Sequence, residues 1–197
     1  MSQMLDAFNF SLGISDVSAQ LLHHAKVGSA QGVLAALASG TNPNVSSMIA
    51  ECNHPVNALS VAAACGHDNC VEILLRSGAR ADLKVGSGGF TPLYLASQAG
   101  HETAISLLLA AHPDVEARRL LLECQTADGA TPLMVGCHMG HVAVVNRLLA
   151  EGADTVIRVA DGRVLVAADV ASAAGNTECA ALVRACEEYR SFGSMAL

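Results

Sequence analysis

Cys137 and His138 stand side by side, the two residue types that make a thiol nucleophile and its base. Such a couple works only if the base reaches the sulfur and a third group orients the base. Helical neighbours point about 100° apart, and no Asp or Asn is placed to orient His138. The pair therefore does not read as catalytic, and no catalytic residue is assigned elsewhere. The chain holds seven cysteines and eight histidines, enough to raise metal ligation. Cys65 and Cys70 lack the CxxC spacing, and no second pair follows at zinc-site distance. His23 and His24 are adjacent and so fall on different helix faces, while His67, His101 and His141 each follow a glycine in one repeated context. That context gives them a structural task in a turn. "KVGSGGFT", residues 84–91, is Gly-rich, yet it lacks the lysine and hydroxyl at phosphate-loop spacing. It reads as a tight turn. Arg118 and Arg119 share their loop with Glu116 and Glu123, a solvated arrangement rather than a nucleic-acid patch.

What positions these residues is an internal repeat. "TPLYLASQAGH" at 91–101 returns as "TPLMVGCHMGH" at 131–141. The glycine near its end recurs as Gly28, Gly66, Gly100, Gly140 and Gly175, at intervals of 38, 34, 40 and 35 residues. Each lies nine residues after a possible helix start: Ala19, Asn57, Thr91, Thr131 and Val166. A second apolar pattern follows each glycine, as in "CVEILLRSG" and "AVVNRLLAEG". Periods of this size mark stacked arrays.

One unit shows the logic. The Thr91 hydroxyl caps a short helix, and Pro92 suits its first position. Gly100 ends that helix in the left-handed region. His101 and Glu102 open a second helix with Ile105, Leu108 and Leu109 on one face. Gly40, Gly78 and Gly152 close the second helix in three units, and His112 holds that place in the third. There the sequence predicts a left-handed non-glycine residue, at about 1 kcal/mol. Neither helix can bury its face alone, so units must stack. The composition agrees: 52% hydrophobic with only 3% aromatic, which suits close helix packing and excludes a disordered chain.

"GFTPLYLASQAGHETAISLLLAAHPDV" and "GATPLMVGCHMGHVAVVNRLLAEGADT" resemble ankyrin repeats. The resemblance implies an all-α solenoid of helix–turn–helix units joined by β-hairpin-like fingers. It covers about residues 19–190 as five units (19–52, 53–86, 87–126, 127–161 and 162–190). An N-terminal segment, 1–18, would pack Leu5, Phe8 and Phe10 over the first unit, with Ser15 or Asp16 capping its helix. Residues 191–197 form a fraying tail. Tyr94, Met134 and Ser60 depart from the family's His in the cap motif.

The resemblance also implies a function: a non-catalytic module, an adaptor, regulatory or assembly-chaperone subunit, that binds another protein on its concave face. Carried over position by position, the groove pairs are Lys26 and Val27, Ala64 and Cys65, Gln98 and Ala99, His138 and Met139, and Ala173 and Ala174. Val56, Phe90 and Ala130 stand beside them, with Phe90 and Met139 as anchors. The implied groove is small and apolar, suited to an apolar peptide or a helix face. The rival reading is a thiol-based sensor or metal binder using exposed cysteines.

Two similar insertions, around 45–56 and 116–128, carry "MIAECNH" and "LLLECQT". They read as an extra helical turn packed on its own repeat; the rival is a partner-gripping knob made of Leu120, Leu121 and Leu122. Cys52 and Cys124 occupy equivalent places two units apart, beyond disulfide reach. Net charge is −7 with no lysine-rich run, which argues against nucleic-acid binding. An odd cysteine count, a start without a basic leader and the lack of a long apolar run predict a reducing compartment, cytoplasmic or nuclear. No cofactor, metal or membrane contact is expected.

Overall fold

The computed structural model describes residues 17–48, 54–160 and 162–194. The expectations for Leu5, Phe8, Phe10, Ser15, Asp16 and Cys52 lie outside the described residues. Helices α1 (Val17–Lys26) and α2 (Ala30–Ala38) form the first pair. The next pairs are α3 (Ala58–Cys65) with α4 (Asp68–Arg76), and α5 (Pro92–Ala99) with α6 (Glu102–Ala110). A separate helix α7 (Val115–Leu122) precedes α8 (Pro132–Met139) with α9 (Val142–Ala150), and α10 (Ala167–Ala173) with α11 (Thr177–Ser194) closes the array.

The caps explain where helices begin. Thr91 Oγ1 accepts from the Tyr94 N–H at 3.2 Å, Thr131 Oγ1 from Met134 at 3.4 Å, and Asn57 Oδ1 from Ser60 at 2.8 Å. Each satisfies a donor that the first turn leaves open. The two end units differ. α1 starts at Val17, so Ala19 lies inside the helix rather than at its head. Val166 offers no side-chain oxygen, and the Ala167 N–H bonds the Thr155 carbonyl at 2.8 Å instead.

First helices pack in the order α1, α3, α5, α8, α10, and second helices in the parallel order α2, α4, α6, α9, α11. Two layers of neighbours thus share one continuous core, including Leu21, Leu59, Leu74, Leu93, Leu108, Leu133 and Leu148, all essentially without exposure. Fingers connect the units. Strand β1 (Ser46–Ser47) pairs antiparallel with β2 (Val56–Asn57), and β3 (Val156–Arg158) with β4 (Val164–Val166). Val85 and Phe90 exchange both backbone bonds, at 2.8 and 2.9 Å, across the Gly-rich turn. That turn is a finger tip, as the missing phosphate-loop residues implied. The architecture is the all-α array with hairpin fingers that the repeat predicts.

The turn histidines act between units rather than within one. His67 Nε2 bonds the Lys26 carbonyl at 2.9 Å, and His141 Nε2 bonds that of Gln98 at 3.0 Å. His101 lies over Gly66. In the last unit Asn176 takes the place, its Nδ2 donating to the Cys137 and His138 carbonyls at 2.9 and 2.7 Å. The second, fourth and fifth units are thereby tied to carbonyls that end the preceding first helix, groups a helix cannot satisfy itself.

Three expectations change. His112 is not left-handed, since no non-glycine residue among those described has positive φ. α7 follows at once, so the chain needs no reversing residue; His112 Nδ1 instead bonds the Leu108 carbonyl at 3.1 Å. Its Asp114 cap then starts α7. The closing helix runs on to Ser194, past the expected start of the fraying tail. Arg190 is more than a solvated charge, because its guanidinium donates to the Ala153 and Leu149 carbonyls at the end of α9, at 3.1 and 3.4 Å.

Candidate functional site

The first helices and the fingers share one face. Along it, exposed residues come from the ends of the first helices, where the residues before each turn glycine leave the core. Val27 is 54% exposed and Met139 48%; Cys65, Gln98 and His138 are also exposed. Phe90 is half-buried, its ring 5.2 Å from that of Tyr94 and tilted by 33°. Offset aromatic pairs of this kind hold each other's orientation, so Phe90 is a preset rather than a loose surface ring.

Two cavities open on this face at equivalent positions. The first, about 350 Å³, lies between the second and third units and is walled by Lys26, His54, Val56, Ser60, Val61, Ala64, Cys65, Val85, Phe90 and Leu95. The second, about 240 Å³, is walled by Tyr94, Ala130, Met134, Val135, His138, Leu165 and Val170. Ser60, Val61, Ala64, Phe90 and Leu95 of the first correspond, unit position by unit position, to Met134, Val135, His138, Leu165 and Val170 of the second. Two unit spacings of ~10 Å put them about 20 Å apart.

The expected residues therefore divide. Lys26, Cys65 and Phe90 are brought together on the first cavity, and His138 reaches the second. Val27, Gln98 and Met139 stand exposed on the same helix ends, outside both walls. Leu120 is 65% exposed on α7, but Leu121 is 3% exposed and belongs to the core with Leu122. The expectation that Leu121 grips a partner is corrected: α7 turns that side chain inward, and only Leu120 faces outward. Arg118 on the same helix sits 3.6 Å from Glu151, which Arg147 also meets at 3.6 Å. These charges occupy α7 and α9 and add nothing to the cavity walls.

Sequence reasoning missed the wall residues Val61, Val85, Leu95, Leu165 and Val170, and treated Ser60 and Tyr94 only as departures from a motif. A signal was present. Three residues after the cap, unit two has the short Ser60 where the next two units carry Tyr94 and Met134.

The thiols do not form a reactive set. Cys70, Cys137 and Cys179 are buried, Cys124 and Cys186 half-buried, and Cys65 exposed. Burial, aided by neighbouring Cys179, pushes the Cys137 thiol up to about 12. Burial also raises Cys70 and Cys65, with Lys26 opposing the effect at Cys65. Nucleophilic chemistry needs the thiolate, and at neutral pH Cys137 holds its proton while His138 faces solvent. The pair is not a nucleophile and its base. Native protein treated with a thiol reagent such as DTNB is expected to label Cys65 first and leave Cys137, Cys70 and Cys179 unlabelled until denaturant is added. Rapid labelling of Cys137 in the native state would contradict this burial. Among the described residues no group of three or more His, Cys, Asp or Glu side chains is placed to hold a metal ion, and no described helix is long and apolar enough to cross a membrane.

No curated protein matches the chain in a sequence comparison. Family models do match: three copies of the ankyrin repeat over residues 21–119, and one further ankyrin repeat over residues 128–160. Ankyrin repeats are, as a family, protein–protein interaction modules. With matching models across these stretches, a helical pair in each, and caps and turn glycines in register, the chain belongs to the ankyrin-repeat family.

Proposed function

We propose that the chain is a non-catalytic interaction subunit, an adaptor, regulatory or assembly-chaperone component, that grips a segment of another protein on the face made by its first helices and fingers. The observation that carries this reading is the pair of equivalent apolar cavities on that face. Interfaces draw most of their affinity from a few anchors seated in such recesses. A partner offering two bulky apolar side chains about 20 Å apart would reach both, as residues about six apart in an extended strand do. Met139 and Val27 add exposed apolar area beside the recesses, and Met adapts its shape readily to a partner.

The test is affinity capture from the source cell with wild type and a Phe90→Ala/Met139→Ala double variant. The variant is expected to recover its partners at least tenfold more weakly, an anchor-sized loss, while its far-UV circular dichroism stays helical. A Tyr189→Ala control, altering a residue 82% exposed on α11, is expected to match wild type. Equal recovery by wild type and double variant would remove this face as the docking site.

A further inference from the structure

Helix α2 is apolar on a side where its counterparts are polar. Six residues after the turn glycine, units two to four carry Glu72, Ser106 and Asn146, whereas unit one carries Leu34, 52% exposed. One residue further on, Ile73, Leu107 and Arg147 are half-buried, but Ala35 is exposed. Second helices pack in series, so in units two to four the preceding unit supplies the cover that Ala35 lacks. Leu34, Ala35 and the exposed Ala38 lie three or four apart and share one side of α2. His24 packs against Gly32, so α1 and α2 run antiparallel, and Val17, also 52% exposed, stands beside the last turn of α2. From Val27 to Ala50 the sequence holds no charged residue. This is a contiguous apolar face rather than a scatter of single exposed residues, and such a face marks a contact.

We infer that residues 4–12 of the same chain, which lie outside the described residues, cover this face as a short helix. Leu12 rests beside Ala38, Phe8 over Leu34 and Ala35, and Leu5 beside Gln31. Three features of the chain select this occupant. Met4, Leu5, Phe8 and Leu12 recur at helical spacing on one side, while Gln3, Asp6 and Phe10 fall opposite. The apolar stripe therefore meets the apolar face, and Asp6 points to water. Gly13 is the residue type that ends such a helix, and only Ile14, Ser15 and Asp16 then remain before Val17. A link that short makes helical neighbours antiparallel, which lays the segment along α1 and in the direction of α2. Its C-terminal end then meets that of α2, and this sets the register. Finally, a segment tethered by three residues is present at an effective concentration on the order of millimolar. A second copy or a free partner must compete with that.

The experiment is NMR of the full chain with labelled methyl groups and phenylalanine rings. Nuclear Overhauser contacts are expected from the Leu34 methyls to the Phe8 ring, and from the Ala38 methyl to those of Leu12. In an equimolar mixture of labelled and unlabelled protein these contacts are expected to stay within one chain. Phe8→Asp is expected to erase them and to speed amide exchange in α2 at least about tenfold, the weight of one apolar side chain returned to water. Exchange in α9 to α11 is expected not to change. Phe10→Asp puts the same charge on the opposite side of the stripe and is expected to match wild type in both readouts. Leu34→Asp alters the receiving face alone and is expected to reproduce the Phe8→Asp result. Contacts found only between chains would give the face to a second copy and overturn the inference. Absent contacts, or equal effects of Phe8→Asp and Phe10→Asp, would overturn it as well.

Discussion

Leu108→Ala is expected to lower the unfolding free energy by about 2–5 kcal/mol, the cost of emptying a sealed leucine site, and the melting temperature by roughly 5–15 °C for a chain of this size. Leu108 has no exposure and lies on α6, which packs on α5 of its own unit and on α4 and α9 of the units either side. In a linear array stability is a sum of unit terms and interface terms. The substitution strikes one unit and two interfaces together, and the neighbours cannot collapse into the gap without sliding whole helices. Val183→Ala makes the contrast. Val183 is equally buried but sits on α11, the last helix, whose main packing partners are α9 and α10. That variant is expected to loosen the end pair in a separate early transition, seen as hydrogen exchange confined to α10 and α11. A denaturant titration in which Leu108→Ala costs less than 1 kcal/mol would mean that the units do not share a core at this layer.

The repeat made the fold legible because its signals are local and recur. Thr91–Pro92 and Thr131–Pro132 mark helix starts whatever surrounds them, and the paired apolar patterns name the buried faces. Where one unit departed from the pattern, sequence alone went wrong. The analogy with Gly78 and Gly152 predicts a left-handed backbone at His112, yet helix α7 follows at once and no reversal is needed. Leu120 and Leu121 are neighbours of one type, so only the phase of α7 against the core separates the exposed residue from the buried one. The candidate site was legible as a face but not as recesses. Lys26, Cys65, Phe90 and His138 follow from their place before the turn or the cap. The walls also need Val85, Leu95, Leu165 and Val170, contributed by the neighbouring unit or its finger, and spacing within one unit says nothing of these. The turn histidines show the same limit: their position was plain, but their bond runs to the unit before.

Gly66→Ala is expected to destabilise the array by about 2–5 kcal/mol, from two sources that can be measured apart. The first is backbone strain. Gly66 has φ +70°, and a residue with a Cβ pays about 1–2 kcal/mol there. The second is collision. A Cβ at this position would lie 2.5 Å from His101 Nδ1 and 2.6 Å from Cε1, closer than real atoms approach, and making room by shifting the ring or the unit behind it costs about 1–3 kcal/mol. In a His101→Ala background the collision is gone, so the same substitution is expected to cost only the strain. The molecule supplies a second control. Gly175 ends the first helix of the last unit with φ +80°, but among the described residues nothing lies within 4 Å of its notional Cβ. Gly175→Ala should therefore cost about 1–2 kcal/mol in wild type. Urea denaturation of the two alanine variants and of the His101→Ala pair decides the matter. If Gly66→Ala costs the same with and without the imidazole, then His101 does not rest on the preceding unit, and the turn glycines serve the backbone alone rather than the close approach of one unit to the next.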